Sequence, residues 1–322
     1  MSSPPGYAQA AVEQVADVAS DLSADRTARR VIPQRHPWRW VAAAGVAVLA
    51  AMAINALITN PFFQWDRFGY WFTRPVVLQG LWITLKVTAA AAVLGFIGAL
   101  VLAVARLSSN PLLRAASWAY TWLFRSIPLI VILLFLVNFG ALYKTISLGV
   151  PFGPEFVRFD ESRLATDIAL AIIGLSLAEA AYGSEVVRAG ILSVDQGQHE
   201  AAAALGLPKR YQFRRIVLPQ ALRSIVPNFV NQLIGLIKAS SLVFYVSLLD
   251  LFGQVQTLGS TYPGDIIPLL LVATVWYVVL TSAVSVVQFY VERHYARGAV
   301  RTLPPTPLQR LRAVIGRKQV TA

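Results

Sequence analysis

Long stretches of apolar residues alternate with shorter polar segments along most of the chain. The hydrocarbon core of a bilayer is about 30 Å thick, and a helix of about 20 apolar residues crosses it. Six stretches meet this requirement, over Trp40–Ile58, Val76–Ala105, Ala115–Tyr143, Ile168–Val187, Ser224–Leu249 and Ile266–Val291. The last contains 26 consecutive residues without a charge. The pattern therefore predicts an all-α integral membrane protein with six transmembrane helices.

The composition supports this prediction and excludes an ordinary soluble protein. Hydrophobic residues make up 56% of the 322 residues and charged residues 14%, whereas charged residues are about 25% of an average soluble domain. The chain has no cysteine, which excludes disulfides, thiolate metal ligands and thiol nucleophiles. The three histidines, His36, His199 and His294, lie far apart in the sequence. We therefore expect neither a metal site nor a cofactor.

The positions of the basic residues predict the orientation in the membrane. With six spans both termini lie on one side, and the segments on that side carry 21 of the lysines and arginines, against 5 on the other. Because lysine and arginine are enriched in cytoplasmic loops, both termini are predicted to be cytoplasmic. This asymmetry is sufficient to explain the net charge of +12. We therefore expect a multi-pass protein of the cell inner membrane, in contact with lipid and without a nucleic-acid partner.

The two ends of the chain differ from the middle. Residues 1–37 are rich in Ala, Ser and Asp and residues 296–322 are basic, so we expect mobile cytoplasmic tails. The first span, within residues 38–60, has an apolar run of 19 residues. This exceeds the roughly 7–15 residues of a signal-peptide core, so we expect an anchor that is retained.

Small residues recur every four positions in the second span, at Ala91, Gly95, Ala99 and Ala103. This spacing aligns them on one helix face, where they permit a second helix to approach closely. We expect packing within the chain; an interface between subunits is the alternative.

Three ionisable side chains fall inside predicted spans, Lys86, Glu179 and Lys238. Each costs about 2.5–3.5 kcal/mol at the bilayer centre, so each is expected to face protein or a wet cavity. Lys86 lies near a predicted membrane surface, where its ammonium group can reach water. Glu179 and Lys238 either line a transport path or make internal contacts.

The segment between the fourth and fifth spans has the pattern of a compact helix–turn–helix. Glu200–Leu205 consists of strong helix formers, and Glu200 near the start complements the positive end of the helix dipole. Gly206 can adopt a positive φ after the last turn, and Pro208 suits the start of a second, basic helix. Pro219 opens the next long segment. We therefore predict a sharp bend at Gly206 in an ordered loop.

This loop contains a specific motif: Glu-Ala-Ala, three residues, Gly, nine residues, Ile, one residue, Leu-Pro. Its members are Glu200, Ala201, Ala202, Gly206, Ile216, Leu218 and Pro219. The motif resembles the signature loop of permease subunits of bacterial ATP-binding-cassette (ABC) importers. Flanking residues, among them Gly80–Leu85 and Arg125–Leu129, resemble the polar amino-acid uptake family, and the similarity covers roughly residues 78–292. Lys238-Ala239-Ser240 replaces that family's common Lys-Asp-Thr, so the exact substrate stays open.

The resemblance implies a five-helix importer domain over residues 76–292, preceded by one extra helix. It also implies that a coupling loop, residues 195–219, contacts a separate ATPase subunit. We expect Ala201, Ala202 and Gly206 to make the close contacts and Glu200 to orient the helix. Further implied partners are an extracytoplasmic substrate-binding protein and a second permease subunit, alike or different. No glycine is followed by lysine, so the chain lacks the phosphate-binding loop of an ATPase and is not predicted to be an enzyme.

A zwitterionic amino acid needs a cation for its carboxylate and an acceptor for its ammonium group. Lys238 and Glu179 provide this pair and are candidates for the substrate path. One alternative is a secondary transporter driven by an ion gradient, although no internal repeat is visible. Another is an intramembrane enzyme that uses Glu179 and Glu185 as acid and base. Glu185 and Arg188 lie three residues apart on one helix and can form a surface ion pair. This ion pair accounts for the presence of Glu185 without a catalytic role.

Overall fold

The computed structural model describes residues 14–18, 37–139, 145–150, 153–160 and 166–295. The chain divides into two compact units, Met1–Asn60 and Pro61–Ala322. Apart from 14–18 and Pro37, the predicted tails over 1–37 and 296–322 lie outside the described residues. The described part contains five helices long and apolar enough to cross a membrane, and a sixth span if one bent helix pair is counted. The number agrees with the six predicted spans when that bent pair is counted as one span.

The first unit contains one long helix, α1, over Pro37–Thr59. Its 23 residues extend about 34 Å at 1.5 Å per residue, slightly more than the bilayer core. Residues 38–59 are all exposed, and apolar side chains occur on every side of the helix. A helix without a polar stripe is typical of a membrane span.

The second unit contains the remaining helices and a short hairpin. The long helices are α3 (Pro75–Leu107), α6 (Asp167–Leu192), α9 (Leu218–Ala239) and α11 (Ile266–Tyr295). The shorter helices are α2 (Trp65–Phe72), α4 (Pro111–Ser126), α5 (Leu129–Val137), α7 (Gln196–Ala204), α8 (Lys209–Gln212) and α10 (Leu251–Thr261). A π-helical turn, Phe213–Val217, joins α8 to α9, and a 3₁₀ segment, Ser240–Val246, follows α9.

The third predicted span is not the straight helix that its hydropathy suggested. It consists of α4 and α5, which meet at an angle of 99°. The cause is Pro128, which has no N–H to donate and forces the residue before it out of the helical region. Ile127 accordingly has extended backbone angles, φ −90° and ψ 130°. The end of this predicted span, from residue 140 to 143, lies outside the described residues.

A two-stranded antiparallel hairpin lies between α5 and α6, and the sequence analysis did not anticipate it. Strand β1 covers Thr145–Gly149 and strand β2 covers Glu155–Asp160. Thr145 pairs with Asp160, and the register shifts between Leu148 and Gly149. The hairpin is confined to this connection, so the membrane-spanning part is all-α as predicted.

The most extensive helix contact in the second unit is between α3 and α6. All four small residues of the stripe, Ala91, Gly95, Ala99 and Ala103, are buried. A Cβ added to Gly95 would lie 2.7 Å from Cβ of Glu179 on α6. The stripe therefore serves packing within the chain, as expected.

A buried carboxylate joins α3, α10 and α11. Asp250 has no exposed surface and caps α10 by accepting a hydrogen bond from Gly253 N at 2.9 Å. Its Oδ2 accepts from Thr84 Oγ1 at 3.2 Å and from Tyr277 Oη at 3.3 Å. The Thr84 hydroxyl also accepts from Leu251 N at 3.0 Å. These hydrogen bonds compensate the cost of burying the carboxylate.

A second buried carboxylate attaches the short helix α2 to the start of α11. Asp265 accepts from Arg67 Nε at 2.9 Å and from Trp71 Nε1 at 2.8 Å. Arg67 Nη2 also bonds Asp265 Oδ2, which makes the pair bidentate. Such charge-assisted pairs fix orientation as well as distance.

We predict that Gly80→Ala destabilises the protein. A Cβ at this position would lie 2.9 Å from the backbone oxygen of Asp250 and 3.0 Å from Leu251 Cα. Backbone atoms cannot move aside cheaply, so we expect a loss of about 1–3 kcal/mol in free energy of unfolding. The measurement is the thermal unfolding midpoint of the purified full-length chain. Gly235→Ala is the control, because a Cβ there meets nothing within 4 Å; equal midpoints for both variants would contradict the packing described.

Candidate functional site

Helix α7 of the loop begins earlier than its composition predicted. It begins at Gln196, and Asp195 caps it by accepting a hydrogen bond from Gly197 N at 2.8 Å. Glu200 is therefore the fifth residue of the helix, and the first turn holds no acidic residue. The assignment of Glu200 to the helix dipole was wrong. Asp followed by Gln and Gly was the signal for the true cap, since Asp is a favoured N-cap residue.

The end of α7 forms the predicted bend. Gly206 has φ +66°, which only glycine adopts without strain. Gly206 N donates to Ala203 O at 2.9 Å and Leu207 N to Ala202 O at 3.1 Å. This pair of hydrogen bonds is the Schellman motif, which satisfies the last carbonyl groups of a helix. The turn is therefore fixed by its own backbone.

The loop is also attached to the segment that follows it. Gln212 Nε2 donates to His199 O at 2.8 Å, and Gln220 Nε2 donates to Gln198 Oε1 at 3.4 Å. Helix α7 packs against the π-helical turn Phe213–Val217. Pro219 lies in the first turn of α9, as predicted. Helix α7 is therefore attached to the segment that leads into α9.

The residues of the motif divide into an exposed and a buried group. Glu200, Ala201 and Gly206 are exposed. Ala202 is only 2% exposed, so another protein cannot touch its methyl group, and the expected contact role of Ala202 is corrected to packing within the chain. Leu205, which the motif does not specify, is 76% exposed. Only the fold reveals it, because nothing in the sequence distinguishes it from Leu207.

The two candidate residues for the substrate path lie on different helices. Glu179 is half-buried in the middle of α6, where its Cβ and Cγ lie over Gly95. Lys238 is exposed near the end of α9. Among the described residues neither side chain has an ion pair, so the structure does not bring the two together. Lys86 is exposed, and its Nζ lies 5.3 Å from the centre of the Trp82 ring.

The alternative of an intramembrane enzyme finds no support in the described residues. Glu185 Oε2 accepts from Arg188 Nε at 2.9 Å, and Nη2 of the same arginine lies 2.7 Å from it, which confirms the expected ion pair. No group of three His, Cys, Asp or Glu side chains within the described ranges lies close enough to hold a metal ion. Within the described ranges the buried side-chain polar atoms without a hydrogen-bond partner are Thr88 Oγ1 and Gln232 Oε1, and neither belongs to a pair that could exchange protons.

Apolar spans with an ordered, exposed helical loop between two of them are typical of a membrane transport subunit. Residues 91–297 match the family described as the binding-protein-dependent transport system inner membrane component. The chain belongs to this family and is a permease subunit of an ABC importer of amino acids. It is accordingly a multi-pass protein of the cell membrane.

Two relatives and one solved structure illustrate the similarity. The arginine transport system permease protein ArgU of Corynebacterium glutamicum is 40% identical over 282 residues, which is 87% of each chain. The glutamate/aspartate import permease protein GltK of Escherichia coli O157:H7 is 38% identical over 69% of this chain and 94% of its own. A crystal structure of an amino acid ABC transporter with histidines has a TM-score of 0.59 at 28% identity, covering 68% of this chain and 94% of that one.

We predict that Gly206→Val lowers transport while Gly206→Asn is tolerated. A β-branched residue at φ +66° costs about 1–3 kcal/mol, whereas Asn enters the left-handed region more readily. The measurement is substrate uptake by cells with equal amounts of each variant in the membrane. Equal uptake by both variants would show that the positive φ is not needed.

Proposed function

We infer that this permease imports a polar amino acid and that a separate ATPase subunit drives it by binding the loop over residues 195–219. The exposed, fixed turn at the end of α7 is the observation that carries this proposal. A loop that transmits force must keep its shape under load, and here a Schellman motif and contacts with the following turn hold it. The complete Glu-Ala-Ala motif and the family match support the same role.

The exposed side of α7 has the chemistry of a contact surface. Ala201 and Leu205 are four residues apart and therefore neighbours on one helix face. Ala201 loses no side-chain entropy on binding and permits close approach, and Leu205 adds a large exposed apolar side chain. Gly206 has no Cβ to obstruct a partner. We assign the contact to Ala201, Leu205 and Gly206, with Glu200 orienting the helix at the edge of the contact.

The energy for transport comes from outside this chain. With no glycine followed by lysine, the chain has no phosphate-binding loop of the usual type and we infer no ATPase site of its own. The name of the family implies a substrate-binding protein on the other side of the membrane. A second permease subunit, identical or different, completes the translocation path. An importer of this kind needs no ion gradient, and the comparisons do not favour the secondary-transporter alternative.

The domain organisation follows from the same family. We assign the importer domain to residues 76–292 and treat the helix within 38–60 as a peripheral addition. The match to ArgU covers 282 of the 322 residues, so it includes at least part of this first helix. We place both termini in the cytoplasm because the basic residues concentrate on their side.

Glu179 and Lys238 remain our candidates for the substrate path. A carboxylate without a cationic partner inside a membrane span is costly and is usually functional. Glu179 fits this description, since it lies in the middle of α6 and has no ion pair among the described residues. Lys238 is exposed within the second unit, as a residue that lines a path shared with another subunit would be. Because the structure does not bring the two side chains together, we propose that one or both line the path, with Glu179 accepting from the ammonium group of the substrate and Lys238 donating to its carboxylate.

A single cysteine at position 205 tests the coupling proposal. Because the natural chain has no cysteine, Leu205→Cys provides a unique site on this chain for a short thiol-reactive photo-cross-linker, whose second end needs no cysteine on the partner. We expect it to cross-link to the ATPase subunit in the purified transporter. Val150→Cys is the control, since Val150 is 50% exposed and lies in the loop that the positive-inside rule places across the membrane. Equal cross-linking at both positions, or none at 205, would contradict the proposal.

Neutral substitutions test the substrate path. Loss of one charge-assisted hydrogen bond costs about 1.5–3 kcal/mol, so we expect Glu179→Gln and Lys238→Gln each to raise the apparent KM for uptake by about tenfold or more. Lys86→Gln is the matched control, a lysine in a span with only an aromatic contact. The measurement is uptake by reconstituted transporter over a range of substrate concentrations. Unchanged KM in both path variants would remove these residues from the path.

A further inference from the structure

Two adjoining cavities lie between α4 and the ends of α3 and α6 that precede polar loops. One has a volume of about 440 Å³ and is lined by Arg106, Arg125 and Arg188 among others. The other has about 530 Å³ and adds Arg114. The cavities share Arg106, Trp118 and Arg188, so they form one continuous groove. We propose that this groove binds the phosphate headgroup of an anionic phospholipid.

The charges of the groove favour an anion. Four arginines line it against one glutamate, Glu185, and that carboxylate is already paired with Arg188. Arg106 donates to the backbone oxygen of Arg114 at 3.4 Å, and Arg125 lies 5.5 Å from the centre of the Tyr182 ring. Arg106, Arg114 and Arg125 therefore have no carboxylate partner among the described residues. A phosphate in the first cavity, beside Arg106 and Arg125, accepts guanidinium hydrogen bonds and relieves the repulsion between these cations.

The apolar part of the groove favours a lipid over a free ion. Trp118 and Trp122 line it, more than half exposed, with their rings stacked at an angle of 12°. Leu107, Pro111 and Ala115 extend the lining, and the neighbouring Leu112 is 78% exposed. Tryptophan and arginine together are typical of the membrane interface, where headgroups meet acyl chains. A free phosphate would use the arginines and leave this apolar surface uncovered.

The predicted orientation places the groove where such lipids are abundant. Arg106 and Arg188 lie near the ends of α3 and α6 that carry the concentration of basic residues assigned to the cytoplasm. Basic pockets between spans on this side bind anionic headgroups. The groove is separate from the exposed side of α7 and from Glu179, so this site is independent of the coupling and substrate proposals.

The test is native mass spectrometry of the full-length chain purified in detergent and mixed with defined lipids. We expect the wild type to retain phosphatidylglycerol in preference to phosphatidylcholine. The double variant Arg106→Gln/Arg125→Gln is expected to bind phosphatidylglycerol at least about tenfold more weakly than the wild type, since two charge-assisted contacts are lost. The control, Arg210→Gln/Arg215→Gln, removes the same charge on the same predicted side but outside the groove.

Several outcomes would overturn the proposal. Equal loss of lipid from the groove variant and the control would indicate general electrostatic attraction only. Displacement of the lipid by millimolar inorganic phosphate would identify a free-anion site, and displacement by glutamate would assign the groove to substrate.

Thermal unfolding midpoints of the variants equal to that of the wild type confirm that the loss of lipid binding is not caused by loss of folding. A groove variant that unfolds is replaced by Arg125→Lys, which keeps the charge, loses the two-pronged geometry and is expected to bind the lipid more weakly.

Discussion

The close contact between α3 and α6 is the constraint on which the rest of the membrane domain depends. In a bilayer the lipid tails are as apolar as the helices, so the hydrophobic effect does not hold one span against another. What remains is van der Waals contact, which requires small residues at the interface. Ala91, Gly95, Ala99 and Ala103 meet this requirement from α3, and Gly183 meets it from α6, where an added Cβ would lie 2.9 Å from Ala99. Larger residues here would push α3 away from α6, the helix that carries Glu179 and leads into the loop.

Two buried carboxylates add directional hydrogen bonds to this packing. Asp250 lies at the start of the short helix α10 and Asp265 just before the long helix α11, and each accepts hydrogen bonds from side chains in distant parts of the chain. Thr84 and Asp250 are 166 residues apart, and Arg67 and Asp265 are 198 apart. In low dielectric an unsatisfied carboxylate is expensive, so each joint admits one arrangement of its helices. Apolar contact alone would let α10 slide along its neighbours, so the hydrogen bonds of Asp250 determine its position.

Most of the fold and part of the candidate site could be predicted from the sequence. Physical reasons explain why the other features could not. Spans and the bend at Gly206 depend on local properties, namely hydropathy and backbone freedom, so they could be predicted. The break at Pro128 was also local, but the apolar residues on both sides of it masked the signal. The burial of Ala202 and the exposure of Leu205 depend on how α7 rests against the π-helical turn. Neither follows from residue type, because alanine and leucine occur on both kinds of surface.

Helix α6 connects the features that transport requires. Only three residues, 193–195, separate its end from α7, so a displacement of α7 is transmitted directly to α6. Glu179 lies on the same rigid helix, nine residues before Arg188 of the groove and about 20 Å along the axis from the end at Leu192. Small residues let α6 lie in close contact with α3, with Cβ and Cγ of Glu179 against Gly95. In the function we propose, a push on the loop therefore moves α6 as one rigid helix and changes the surroundings of Glu179.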